Sequence, residues 1–90
     1  MYIQELIWDN YRIDHIALHN VEPDEVQEAC DDPFGIAYRQ GQNRYRLYGQ
    51  TAAGRYLFIV IERIERSLFK PITARDMEPS ERRSFRKTRQ

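Results

Sequence analysis

The apolar run Tyr56–Ile61 (Tyr-Leu-Phe-Ile-Val-Ile) constrains the fold of this chain more than any other stretch. It is rich in aromatic and β-branched residues, with Gly54-Arg55 before it and Glu62-Arg63 after it. A short segment that is apolar on both faces reads as a central strand, not an edge strand. It is far too short to span a membrane, which needs about 20 apolar residues. With 90 residues, 41% apolar and 31% charged, the chain reads as one globular domain over 1–90 and not as a disordered segment. Its core must be small, since a chain of this size buries only about 60–65% of its unfolded surface.

Tyr2–Trp8 alternates and predicts a short strand. Asp9 or Asn10 then caps a helix whose apolar stripe is Ile13, Ile16 and Ala17 and which ends at His19-Asn20. A second helix starts at Glu22-Pro23-Asp24-Glu25, with Pro at the first helical position and acids in the first turn. Asp31-Asp32-Pro33 stops it. Beyond Pro33 the period changes to two. Strands are predicted over Phe34–Tyr38, Arg44–Tyr48, Tyr56–Ile61 and Leu68–Arg75, with turns at Gln40–Asn43, Gly49–Gly54 and Arg63–Arg66. Pro71 inside the last strand predicts an edge position or a bulge. Glu78-Pro79-Ser80-Glu81 opens a final helix whose one apolar residue is Phe85, and which Arg82, Arg83, Arg86, Lys87 and Arg89 make basic nearly all round. The order β-α-α-β-β-β-β-α, with consecutive strands joined by short turns, predicts an α+β fold with an antiparallel sheet and helices packed against it.

The formal net charge is zero, yet the sequence is polarised. Residues 1–37 carry nine carboxylates and one base, a net charge of −8, and residues 38–90 carry +8. All the bases but Lys70 and Lys87 are arginines, whose planar fork suits phosphate or carboxylate. A basic half predicts an anionic partner, either nucleic acid or an acidic protein. The lone cysteine, Cys30, allows no intramolecular disulfide and reads as a small buried helix residue. With no secretory segment opening the chain, this predicts a cytoplasmic protein.

Glycine-rich phosphate loops, His-Glu-x-x-His, metal-spaced cysteines and Gly-x-Ser-x-Gly are all absent from the sequence. The only histidines, His15 and His19, stand at i, i+4 on one helix without an evident third metal ligand. If the turn after the central strand centres on Ile64-Glu65, Arg75 falls opposite Gly54. Arg55 and Arg75 then share one end of the sheet with Glu81 and Arg82 at the start of the final helix. Two arginines, a carboxylate and a helix N-terminus can hold a phosphate and move a proton. A structural ion pair between Arg75 and Glu81, with Glu81 capping the helix, is the alternative.

A series of short motifs then runs nearly the whole length. They are Trp8-Asp9, His19-Asn20-Val21, Asp24-Glu25, Asp32-Pro33, Arg44, Gly49, Gly54-Arg55, Ile72-Thr73-Ala74-Arg75 and Glu81-Arg82 followed by Phe85. In this order and spacing the chain resembles the BrnT family of toxins from bacterial toxin–antitoxin pairs. It departs from the family at Asn20, where glycine is usual, at Asn43, where glutamate is, and at Phe85, where tyrosine is. The resemblance implies a RelE-like fold and a metal-independent endoribonuclease, without cofactor. It also implies a BrnA-type antitoxin that neutralises the protein in a hetero-oligomer. Such cleavage uses the RNA's own 2′-OH, so it needs a proton acceptor, cations for the phosphorane-like charge and an acid for the leaving oxygen. On this resemblance the catalytic candidates are Arg75, Arg82 and Arg63 for charge, with Glu81 or His19 as base or acid. Lys70 adds charge there or joins Arg44, Arg46 and Arg55 in following the RNA phosphates. The other reading is a catalytically inactive RNA- or protein-binding module of the same fold.

Overall fold

The computed structural model describes residues 1–88, in the order β1 (Glu5–Leu6), α1 (Asn10–Ala17), α2 (Pro23–Cys30), β2 (Ile36–Arg39), β3 (Arg44–Gln50), β4 (Tyr56–Glu65), β5 (Leu68–Asp76) and α3 (Pro79–Thr88). These residues form an α+β fold in which three helices pack against a five-stranded mixed sheet of order β1-β5-β4-β3-β2. The expected central strand is central, with β5 on one side and β3 on the other. Arg89, counted above among the bases of the final helix, lies outside the described residues.

Alternation along β4 divides the apolar run between two faces. Leu57, Ile59 and Ile61 are fully buried and meet Leu47, Phe69 and Ala74 from the flanking strands and Ile16, Val21, Val26 and Ala29 from the helical segment. Tyr56, Phe58 and Val60 point the other way, towards α3. At the contact of α2 with β3, a Cβ on Gly49 would lie 2.2 Å from the Ala29 carbonyl oxygen, so only glycine lets the helix approach this closely.

The helix signals hold. Asp9 caps α1 by accepting from the Arg12 N–H at 2.8 Å. Glu22 and Glu25 form a capping box around Pro23 at the start of α2. Asn20, after α1, has φ 58°, a left-handed conformation that glycine adopts freely and asparagine tolerates better than most residues.

The sheet differs from the expected antiparallel one at β1. Tyr2–Trp8 yields only a two-residue strand, and it pairs parallel with β5, Glu5 opposite Leu68 and Leu6 opposite Phe69. Ser67 and Phe69 accept backbone bonds from the β1 segment, so Pro71, two residues on, faces the same outer side. Its missing N–H is therefore not taken from the β4 ladder, and the outer ladder has already stopped. Pro71 also sits at a bulge, since Ile61 pairs with Pro71 but Val60 with Thr73. The bulged Ile72 carbonyl accepts from Arg12 of α1 at 3.3 Å, so α1 covers the stretch of β5 edge that β1 leaves open.

The β4–β5 register also departs from expectation. The β4 strand runs on through Glu65, the turn falls at Arg66-Ser67, and a second irregularity lies between Arg63 and Glu65. Arg75 consequently pairs with Phe58, not Gly54.

Candidate functional site

The face of the sheet turned away from α1 and α2 carries cross-strand rungs of aromatic and basic residues. One is Ile36–Tyr48–Phe58–Arg75, the next Tyr38–Arg46–Val60, and a third Arg44–Glu62–Lys70. Rungs two residues apart along a strand lie roughly 6–7 Å from one another. The rings touch across the strands, Tyr38–Tyr48 at 5.9 Å and Tyr48–Phe58 at 5.3 Å between centroids. Guanidinium groups lie on this surface, with Arg75 4.2 Å above Phe58 and Arg46 5.4 Å from Tyr38.

Helix α3 closes one side of this face. Its fixed point is Phe85, 3% exposed, whose ring meets Tyr56 edge-on at 6.0 Å. Arg82, one turn earlier, lies over the other partner of that pair, 4.7 Å from the Tyr56 centroid. A groove of about 310 Å³ remains between α3 and the sheet. Ile36, Tyr38, Arg46 and Tyr48 form its sheet wall, and Ser80, Glu81, Ser84 and Phe85 its helix wall.

At the end of the groove Arg75 and Glu81 form a two-pronged ion pair, with N–O distances of 2.8 and 3.2 Å. Glu81 also accepts from the Glu78 N–H at 2.8 Å, so it caps α3 as the sequence suggested. The Arg75 bond, followed by that backbone bond, overcomes burial and holds the Glu81 carboxyl below its ordinary range, with the Tyr48 hydroxyl adding to the effect. Arg75 is raised in return by its bond to Glu81. Burial, then the Glu81 charge, raises the Tyr48 phenol. Near neutral pH the cluster is therefore an arginine cation, a carboxylate and a protonated phenol. It can bind an anion, donate a hydrogen bond and, once Glu81 is released from Arg75, accept a proton.

The structure brings together Arg75, Glu81, Arg82 and Arg46 of the residues singled out from sequence. Arg46 and Arg82 have no ion-pair partner among the described residues. Arg44 and Lys70 share this face further along the strands, Arg44 bonded to Glu62 at 2.9 Å and Lys70 4.0 Å from Asp9. The other three lie elsewhere. Arg63 is on the helix-bearing face, its guanidinium carbon 5.6 Å from the Tyr45 centroid and 5.3 Å from that of Phe69.

Arg55, placed beside Arg75 by the expected register, is a clamp on the helical side. It bonds Asp76 at 2.7 Å, Glu25 at 3.0 Å and the carbonyls of Asn20 and His19 at 2.7 and 3.4 Å. It thereby ties the α1–α2 connection and α2 to the end of β5. Its bond to Asp76 lowers that carboxyl and raises Arg55 itself. The exposed His19 supplies its carbonyl to this clamp, while His15 makes a 3.2 Å hydrogen bond with Thr73.

Tyr38, Tyr48 and Phe58 were not singled out from the sequence. Their signal is alternation, because aromatic residues at 56 and 58 interleave with aliphatic ones at 57, 59 and 61. A second hollow, of about 640 Å³, lies on the other side beside Cys30, Asp32, Arg39 and Tyr45. Burial pushes the Cys30 thiol up to about 12, which makes it a poor nucleophile. Among the described residues no group of three or more His, Cys, Asp or Glu gathers as metal ligands, and no helix is long and apolar enough to cross a membrane. No family model and no curated protein matches the sequence.

Proposed function

We propose that this protein binds single-stranded RNA on the Tyr38–Tyr48–Phe58 face and cleaves it without a metal ion, as a RelE-like ribonuclease toxin of the BrnT type. The observation that carries this reading is the Arg75–Glu81 pair at the end of an aromatic, arginine-lined groove. Aromatic faces stack unpaired bases, and arginines hold the phosphates between them. A phosphate entering at Arg75 competes with Glu81 for the guanidinium. The displaced carboxylate regains basicity and can take the proton of the 2′-OH. That oxygen attacks the adjacent phosphorus, the P–O5′ bond breaks, and the leaving oxygen takes a proton from a donor such as the Tyr48 hydroxyl. The products are a 2′,3′-cyclic phosphate and a 5′-OH end, and no water is consumed. Arg75, Arg82 and Arg46 offset the charge that gathers on the phosphate. The natural partner in this reading is a BrnA-type antitoxin in a cytoplasmic hetero-oligomer.

One observation favours the second reading, a binding module that does not cleave. Glu81 is held ionised and acid-shifted by Arg75, and a carboxylate in that state is a weak base. Purified protein incubated with unstructured RNA separates the two. Cleavage to cyclic-phosphate ends that persists in EDTA is expected, and so is its loss in folded Arg75→Ala protein. RNA that is bound but stays intact establishes the binding module. RNA that is neither bound nor cut removes both readings.

A further inference from the structure

We propose that the groove between α3 and the β2–β3 strands is a pocket for one unstacked nucleobase of the RNA, adjoining the phosphate held at Arg75; this rests on the RNA-binding reading above. The argument is one of size and lining. At about 310 Å³ the groove is at the small end of ligand sites, which suits one nucleotide and not a stretch of strand. Its sheet wall offers π-surfaces. Tyr38 is 45% exposed, Arg46 lies 5.4 Å from its centroid, and Tyr48 meets it edge-on. A flat heterocycle can stack on the ring or on the guanidinium plane.

The opposite wall is polar. Ser80 and Ser84 stand four residues apart on α3, so both hydroxyls lie along one helix face, and that face borders the groove. Neither hydroxyl has a hydrogen-bond partner among the described residues. The site thus pairs a stacking surface with hydroxyls that can donate or accept, which matches a base lying flat with its polar edge towards α3. Because serine hydroxyls accept either pattern, the pocket admits purines and pyrimidines alike, with weak sequence preference.

The test uses 2′-O-methyl oligonucleotides, which lack the attacking hydroxyl. One set carries 2-aminopurine walked along the strand, and a matched set carries an abasic site at each position. Bound to the wild-type protein, one position should show quenched 2-aminopurine, and the abasic strand there should bind about 10-fold more weakly, as loss of one stacked base predicts. Ser84→Leu fills the groove from an exposed helix position with a better helix former, so the fold should persist. It should remove both the quenching and the base-dependent affinity, leaving affinity for the abasic strand unchanged. Tyr38→Ala, at an exposed position, should do the same. Wild-type binding that is equal for base and abasic strands at every position overturns the pocket but leaves the RNA-binding face intact. A Ser84→Leu variant that keeps the discrimination also overturns it. Failure of the wild type to bind any strand removes the RNA reading and the pocket together.

Discussion

Arg63 and Arg75 sit on adjacent strands, yet the pleat sends them to opposite sides of the sheet. Arg75 faces the groove and meets Glu81. Arg63 packs among Tyr45 and Phe69, and its buried Nε has no hydrogen-bond partner among the described residues. Burying such a donor is costly unless packing offsets it. Arg63→Met keeps most of the stem and its contact with both rings while removing the unsatisfied group. The expected outcome is unchanged RNA affinity and a Tm at least equal to that of the wild type, measured by titration and thermal melt. A large loss of affinity would bring the helix-bearing face into the site. Side-chain direction follows strand parity, so this separation could have been read from the sequence had the register been known. Parity was legible within Tyr56–Ile61, but a run apolar at every position conceals that one side is aromatic and the other aliphatic.

Each of the expected elements exists, and the order of helices and meander strands was legible because Pro, Gly and Asx punctuation marks each boundary. The pairing was not. Bulges at Pro71 and beyond Arg63 shift the β4–β5 register, and a bulge leaves no periodic trace in a strand this short. The parallel partner of β1 was equally hidden, since nothing local in Gln4–Ile7 names a strand so distant in sequence. For α3, attachment rests on Phe85 and on the Arg75–Glu81 pair, and the second of these makes docking sensitive to pH. The Glu81 carboxyl is lower in the folded state than in the unfolded chain. Its contribution is therefore complete above the ordinary glutamate value of about 4.3 and fades as pH falls through the lower, folded value. Glu81→Gln keeps a capping acceptor but cannot titrate. Between pH 7 and strongly acid solution the wild-type Tm should fall further than that of Glu81→Gln. The expected difference is about 4–8 °C, or about 1 kcal/mol for a partly exposed bidentate pair. Parallel melting curves for the two proteins would show that Glu81 adds nothing to docking.

Charge is segregated in the folded molecule as it is in the sequence. The acids Asp14, Glu22, Asp24 and Glu28 are exposed on α1 and α2, and Arg82, Arg83, Arg86 and Lys87 are exposed on α3 across the sheet. Binding of a polyanion should therefore weaken steeply with salt. Replacing both Arg44 and Arg46 with glutamine should lower the slope of log K against log salt by about 2, one for each lost phosphate contact. A smaller change would mean that the Glu62 bond keeps Arg44 from the RNA. The parallel β1–β5 contact carries a consequence of a different kind, for the order of assembly. Gln4 and Ser67, hydrogen-bonded side chain to side chain, lie 63 residues apart. A contact of that span closes a long loop, whereas the β3–β4–β5 hairpins close short ones. During synthesis the segment that leaves the ribosome first must therefore wait for nearly the whole sheet before it finds its neighbour. Hydrogen exchange pulsed during refolding should protect β4 amides before those of Gln4 and Ile7.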